Sequence, residues 1–530
     1  MVLVAKGGGI LLAGKVFTYV GRFAAVFILV RLMTAPQYGQ YNLGLTTAEV
    51  LAGLAALGLP TALIRFLPHL LRRGDRPGFW GTLQVCLGLT VGLSILLAGG
   101  LFVSAETVAK SVFHDANLAP VLRLVAVFVP FFAASDSLAA ATRGFKAMQY
   151  TTIAQLISHP LVKFALIATA AVVGLTPALA IAASGLAEIT VCLMLFHFLK
   201  NLAKGQKTVE ASRRETGTIL RYSLPVYFAS LLDDFSGQLQ VLLLGTLSTT
   251  AQVGVYALTR EVSKLSELFQ RSITMPAQPL MSELFSRNSR LEFNRFYRST
   301  TRWTFALNLP VFLIFALLPG PVLSVFGSTF ASGVVILWML IAQRLLYVAT
   351  GMCATVLDMS GHTRLKLLNS AIRLVMLTGL NLWLIPRWGA LGAALAAFFT
   401  TSVVGLLRLA QVGFLFRVLP YDGGFVKTVF AAGIAWLVGL GVGRLIPPNG
   451  SALNAVVNGI LIVAVYVVAV FVLGLAEEEQ LILARARRRA GSIMARFAPG
   501  RAFSGVPRQK TQKAPEPAPQ LEAEIPGTGQ

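Results

Sequence analysis

Charge is what this chain has least of. Of 530 residues, 13% are Asp, Glu, Lys or Arg, where a soluble domain carries about 25%. So little charge cannot solvate the surface of a soluble enzyme, and that class is excluded. Acid is scarcer than base: 22 Asp+Glu stand against 45 Lys+Arg, a net charge of +23. The basic residues form no stripe on a polar domain, which argues against a nucleic-acid partner. Only three cysteines occur, Cys86, Cys192 and Cys353, each inside an apolar run. The five histidines are equally scattered. With no CxxC pair and no Cys/His cluster, neither a disulfide framework nor a metal site is predicted, and no cofactor motif is present. The N-terminus lacks a convincing cleavable signal, because Lys15 and Arg22 break its first apolar run.

What the chain has is long apolar runs. Hydrophobic residues make up 55% of it and the mean hydropathy is +0.72. A hydrocarbon core about 30 Å thick needs about 20 apolar residues per helix. With Pro, Gly and charge clusters as breaks, fourteen spans are predicted: 10–33, 41–64, 80–104, 117–136, 150–173, 177–199, 222–247, 253–275, 303–323, 331–357, 367–385, 389–415, 425–446 and 452–475. Fused or split pairs are expected near Pro276 and Pro310. The fold class is therefore an all-α polytopic membrane protein.

The loops orient it. With the N-terminus inside, inward segments hold 30 Lys+Arg and outward segments four: Arg31, Lys110, Arg387 and Arg444. The positive-inside rule is met at every inward loop, and an even span count places both termini in the cytoplasm. Outward connections such as Leu175–Pro177, Ser248–Gln252 and Arg387–Trp388 are bare turns, too short for an extracytoplasmic reaction centre. Residues 485–513 are basic without one acid and suit an anionic lipid surface. Residues 514–526 are Pro/Ala/Glu-rich and read as a solvated, disordered tail.

A repeat is visible at an offset of 215. Ala35–Leu43 aligns with Thr250–Leu258 through Gln, Gly, Tyr and Leu. The same offset pairs Gly174 with Gly389, Ala178 with Ala393 and Ala182 with Ala397. Each half then has six helices, which keeps the halves in one orientation. The expected units are an N-terminal lobe (1–199), a basic linker (200–221), a C-terminal lobe (222–415), two appended helices (416–475) and a tail (476–530). Parallel repeats of this kind are a transporter pattern, with the substrate path between the halves.

Eleven basic residues fall in or at the edges of the spans, and an Arg at the bilayer centre costs about 2.5–3.5 kcal/mol on insertion scales. Lys15 and Arg22 share one face of span 1. In span 8, Arg260, Lys264, Glu267 and Arg271 recur at i, i+4, i+7 and i+11, one stripe of net +2. Both stripes sit early in their half and are candidates for a cavity that binds phosphate, whose oxygens suit the guanidinium fork. The bland alternative is pairing with neighbouring acids or snorkelling. Arg344, Arg373, Lys163, Arg123 and Arg408 fit that alternative better. Among the acids, the adjacent pair Asp233-Asp234, together with Glu49, is a candidate for ion or proton coupling. Pairing with a nearby cation is the alternative.

Arg31-Leu32 followed by Pro36, Tyr38, Gly39 and Tyr41, with Arg143-Gly144-Phe145-Lys146 after span 4 and Tyr256 entering span 8, resembles the polysaccharide-transporter branch of the MATE-like (MOP) superfamily. The resemblance covers about residues 7–475 by topology. It implies two six-helix lobes around a V-shaped cavity and alternating access in a bacterial cytoplasmic (inner) membrane. It also implies a polyprenyl-diphosphate-linked oligosaccharide as cargo, for O-antigen, exopolysaccharide or a related polymer. Membrane lipids and a polysaccharide polymerase are the implied partners, and no covalent chemistry is expected. Two other classes are alternatives. A cation-coupled multidrug exporter of the same superfamily would call for an acidic cavity. A membrane polymerase or ligase would call for a sizeable outward loop.

Overall fold

The computed structural model describes residues 18–206, 216–287, 289–445 and 452–473. Lys15 and the basic and Pro/Ala/Glu-rich tail lie outside the described residues. Among the described residues every element is helical or a turn. Helix α1 covers 18–32. The first half continues with α2 (Ala35–Ala56), α3 (Leu59–Arg73), α4 (Arg76–Thr107), α5 (Leu118–Gly144), α6 (Met148–Val173) and α7 (Pro177–Leu202). The second half contains α8 (Thr216–Leu247), α9 (Thr250–Ser263), α10 (Leu265–Ser286), α11 (Arg290–Leu317) and α12 (Val334–Ala349). It ends with α13 (Thr363–Phe416), α14 (Gly423–Leu445) and α15 (Ala452–Val472).

Among the described residues, nine helices are long and apolar enough to cross a membrane, or ten if the bent pair α2–α3 is one span. That criterion does not return fourteen, and two causes are physical. The described part of α1 (18–32) and the broken helix α9 (14 residues) are each too short to be a full span, and α13 is counted as one helix. A 54-residue helix would be roughly 80 Å long if straight. Asn369 and Gln411, 42 residues apart, nevertheless exchange two amide hydrogen bonds of 2.7 and 3.0 Å. α13 is therefore an antiparallel hairpin, reversed at Gly389, whose φ of +53° is non-helical.

The breaks differ from expectation in place. The α2–α3 bend of 46° is made by Leu57 and Gly58, both left-handed. Pro60 sits in the first turn of α3, where a missing N–H costs nothing. Span 8 divides at Lys264, not at Pro276, which lies inside α10.

The repeat is visible in packing. Gly39 of α2 lies against α9 so closely that an added Cβ would stand 1.8 Å from the Thr250 carbonyl oxygen. A Cβ on Gly254 would stand 2.0 Å from the Ala35 carbonyl oxygen. Each contact is the other shifted by 215, so the two halves meet at a reciprocal glycine crossing. Both helices begin there on equivalent caps, Thr34 and Thr249. The largest apolar core surrounds this crossing and draws on both halves. Two smaller cores lie toward the basic loops. One holds Leu59, Ala62, Leu138 and Ala141 with Ile219 at the start of α8. The other holds Ile273, Ala277, Cys353 and Val356. Ala62/Ala277, Leu138/Cys353 and Ala141/Val356 are again 215 apart. The halves thus share one core on the short-turn side and have two distinct cores on the basic-loop side, the first of which also takes in the start of α8.

Candidate functional site

A cavity of about 580 Å³ opens among α1, α2, α5, α6 and α7, with Gln238 of α8 and Glu261 of α9 closing one edge. Its volume lies in the range of small-molecule sites. Small and hydroxylated residues in α5 and α7 let the helices that wall it approach closely. Gly185 packs under the Phe128 ring, where an added Cβ would lie 2.2 Å from a ring carbon. Ser184 reaches the Tyr41 hydroxyl at 3.2 Å.

α6 presents its polar face to the cavity through an irregularity. Thr152–Ser158 is a π-helical turn, a local widening often found at functional sites. Gln155 and Leu156 of this turn, then His159 and Lys163 beyond it, line the wall. The Lys163 ammonium lies 5.7 Å from the Tyr41 ring centroid, within reach of a cation–π contact. Opposite, the buried Glu188 of α7 accepts a hydrogen bond from the Ser135 hydroxyl on one oxygen and faces His159 Nε2 at 3.3 Å on the other. The carboxylate is the middle member of this trio. A nucleophile–base–acid triad needs the imidazole in that place, so the trio is not an acyl-transfer site. Asp136 lines the wall beside it. The cluster escaped sequence reasoning because its members come from three helices with no local spacing in common. The only signal was an acid inside each of spans 4 and 6.

The expected residues are placed as follows. Arg22 lines the cavity and donates to Glu261 at 2.7 Å, a bond from the first half to the second. Lys264 is not on this wall; it meets the same Glu261 oxygen at 2.6 Å. Arg271 is not on the wall either. Its guanidinium is 3.1 Å from Glu267, which also binds Arg344 at 2.7 Å. Arg260 lies against Gly237, where an added Cβ would stand 2.7 Å from its Nη2, and it is not among the residues lining this cavity. Glu49 lines the cavity and a smaller one of about 200 Å³ between α2 and α8. The side chains of Asp233 and Asp234, like Lys15, lie outside the described residues.

The wall of this cavity is therefore mixed in charge, where the expectation was a cationic one. Arg22, Lys163 and His159 face Glu49, Asp136, Glu188 and Glu261. The break at Lys264 interrupts the regular stripe, and Lys264 pairs with Glu261 at i+3, a spacing at which helical side chains are neighbours. The stripe becomes two ion clusters, one around Glu261 and one around Glu267.

A family model described as polysaccharide biosynthesis protein matches residues 4–285, more than half of the chain. No curated protein sequence matches. Among solved structures, the lipid II flippase MurJ in an inward closed conformation is similar at 12% identity and a TM-score of 0.68. That match covers 87% of this chain and 97% of MurJ. An inward-facing multidrug resistance MATE family transporter of the MOP superfamily is similar at 13% identity and a TM-score of 0.63, covering 75% and 94%. A MATE structure in a bent conformation has a TM-score of 0.54 at 13% identity, covering 78% and 95%. The polytopic all-helical fold, the reciprocal repeat and the family match agree: the chain belongs to the polysaccharide biosynthesis protein family and has the fold of the MOP-superfamily transporters.

Proposed function

We propose that this protein translocates a polyprenyl-diphosphate-linked oligosaccharide across the bacterial cytoplasmic membrane by alternating access, for cell-surface polysaccharide biosynthesis. The observation that carries the reading is a cavity with polar and charged lining on whose wall Arg22 is tied to Glu261 of the other half. An anionic sugar headgroup could not cross hydrocarbon unaided. Arg22 offers it a fork for phosphate oxygens, and Asn42, Gln155 and Gln238 offer donors and acceptors to hydroxyls. The prenyl tail stays in lipid. Lys15, Lys264, Arg260 and Arg271 belong to the same headgroup path in this reading, and Glu49 with Asp233 and Asp234 to its ion coupling. The lobes are 1–199 and 222–415, joined by the linker 200–221, with 416–475 appended. Both termini face the cytoplasm, where the tail lies, and a polysaccharide polymerase takes the delivered cargo.

Deleting the gene tests this. Lipid-linked repeat units should accumulate on the cytoplasmic leaflet, and Arg22→Ala and Arg260→Ala should fail to restore export. No accumulation refutes the flippase reading. Full complementation by both variants refutes the phosphate role of these arginines. A second reading has one observation in its favour. The carboxylates Glu49, Asp136, Glu188 and Glu261 on the wall suit a cation-coupled drug exporter, for which loss of dye efflux on deletion is the expected result.

A further inference from the structure

The Arg22–Glu261 bond has no counterpart at the repeat-related place. The positions 215 away are Gly237 and Thr46, which carry no charge. The pair is therefore not a by-product of the repeat. Glu261 Oε1 receives both Arg22 Nη2 at 2.7 Å and Lys264 Nζ at 2.6 Å. Its side chain is 16% exposed and it stands on the cavity wall beside Arg22, which is 49% exposed. Two cations from different halves thus converge on one carboxylate oxygen at the edge of the cavity.

From this geometry we infer that Glu261 is an internal stand-in for the phosphate of the cargo, and that exchange of one anion for the other unties the halves. The inference rests on the reading of Arg22 as a headgroup ligand. A carboxylate and a phosphate offer the same kind of oxygen to the same guanidinium fork. In the empty protein Glu261 keeps Arg22 and Lys264 paired, which spares the cost of uncompensated charge at membrane depth. An arriving phosphate takes Arg22 and repels the carboxylate, which keeps Lys264. The bond from α1 to α9 is then lost at the moment cargo binds. A ligand shifts a conformational equilibrium only through its differential interaction with the two states. Here the difference is one inter-half ion pair, present without cargo and absent with it. Glu261 lowers affinity for cargo and couples binding to release, so it is a positioning residue that acts through Arg22.

The full-length protein in nanodiscs tests this with farnesyl diphosphate as probe and farnesol as the phosphate-free control. Glu261→Gln removes the competing charge and should bind farnesyl diphosphate about tenfold more tightly than wild type. Glu261→Asp keeps the charge but shortens its reach and should bind with intermediate affinity. It also serves should the Gln variant not fold. Hydrogen exchange in residues 18–32 should rise in wild type on adding farnesyl diphosphate. In Glu261→Gln it should already be raised and no longer respond. Arg22→Ala should bind the diphosphate weakly, and farnesol should bind all variants alike. If Arg22→Ala loses affinity while neither Glu261 variant gains any, the stand-in role is wrong and the headgroup reading survives. If Arg22→Ala binds as wild type does, the headgroup reading fails and the inference fails with it.

Discussion

Closure on the short-turn side rests on the absence of a side chain at Gly39. Consider Gly39→Ala, a single methyl. Its Cβ would lie 1.8 Å from the Thr250 carbonyl oxygen and 3.0 Å from the Gly254 nitrogen. Ordinary contact begins at 3.4 Å, 1.6 Å beyond that 1.8 Å approach, so α2 and α9 must part at their crossing. Both neighbours are backbone atoms, which cannot swing away as a flexible side chain would. Overpacking of this kind costs about 1–3 kcal/mol, which changes a two-state ratio about 5–150-fold. The cost falls only on the state in which the two helices touch. The substitution should therefore move the protein toward a state open on the short-turn side. The assay is sidedness of labelling at Asn42→Cys, a cavity position, with Cys86, Cys192 and Cys353 replaced by Ser. An impermeant maleimide should reach Asn42→Cys from the basic-loop side in the parent protein. Adding Gly39→Ala should raise labelling from the other side by a factor in that range. Gly254→Ala should do the same, and the double variant should fall short of the product because both act at one contact. Unchanged sidedness in a stably folded Gly39→Ala protein would refute the crossing as the closure point.

Two further predictions concern stability. Gln411→Leu leaves the fully buried Asn369 amide without its two partner bonds, at a cost of about 1–3 kcal/mol. The measurement is unfolding in an SDS titration, and Asn369→Leu/Gln411→Leu should recover part of the loss. Arg302, 5% exposed, meets Asp422 at 2.5 Å, and Asp422 also caps α14 through the Phe425 N–H at 2.7 Å. Arg302→Met strands that carboxylate and should cost about 3–5 kcal/mol, while Arg302→Met/Asp422→Asn should lie nearer wild type in the same titration.

The fold was legible wherever a local rule decides it. The turns at 174–176, 248–249 and 387–389 are marked by Gly, Ser or Pro between apolar runs, and the offset of 215 survives because the paired turns do the same job twice. Arg302 shows where local rules stop. By position it counts as an inward-loop charge, since basic residues surround it. Asp422, 120 residues on, draws it into the packing of α11 against α14. The break at Lys264 is equally silent, because Arg260–Leu265 contains no Gly or Pro. What stops α9 is a tightened turn in which the Lys264 N–H is shared between the Arg260 and Glu261 carbonyls at 3.2 and 3.1 Å.

That tightened turn explains why the site was harder to read than the fold. Sequence spacing fixes which charges share a helical face only while the helix stays regular. Once the helix breaks at Lys264, the stripe no longer presents four charges along one line. Glu261 gathers Lys264 and a cation 239 residues away, while Glu267 gathers Arg271 and Arg344. Each acid serves two bases, so the excess of cations persists but is not free. A net charge of +2 read along the helix describes the supply of cations. The partners, set by tertiary packing, decide how much of that supply an incoming anion must compete for. On the proposed flippase reading, a wall of free arginines would hold an anionic cargo more firmly than one whose arginines already share carboxylates, and a carrier must release what it binds.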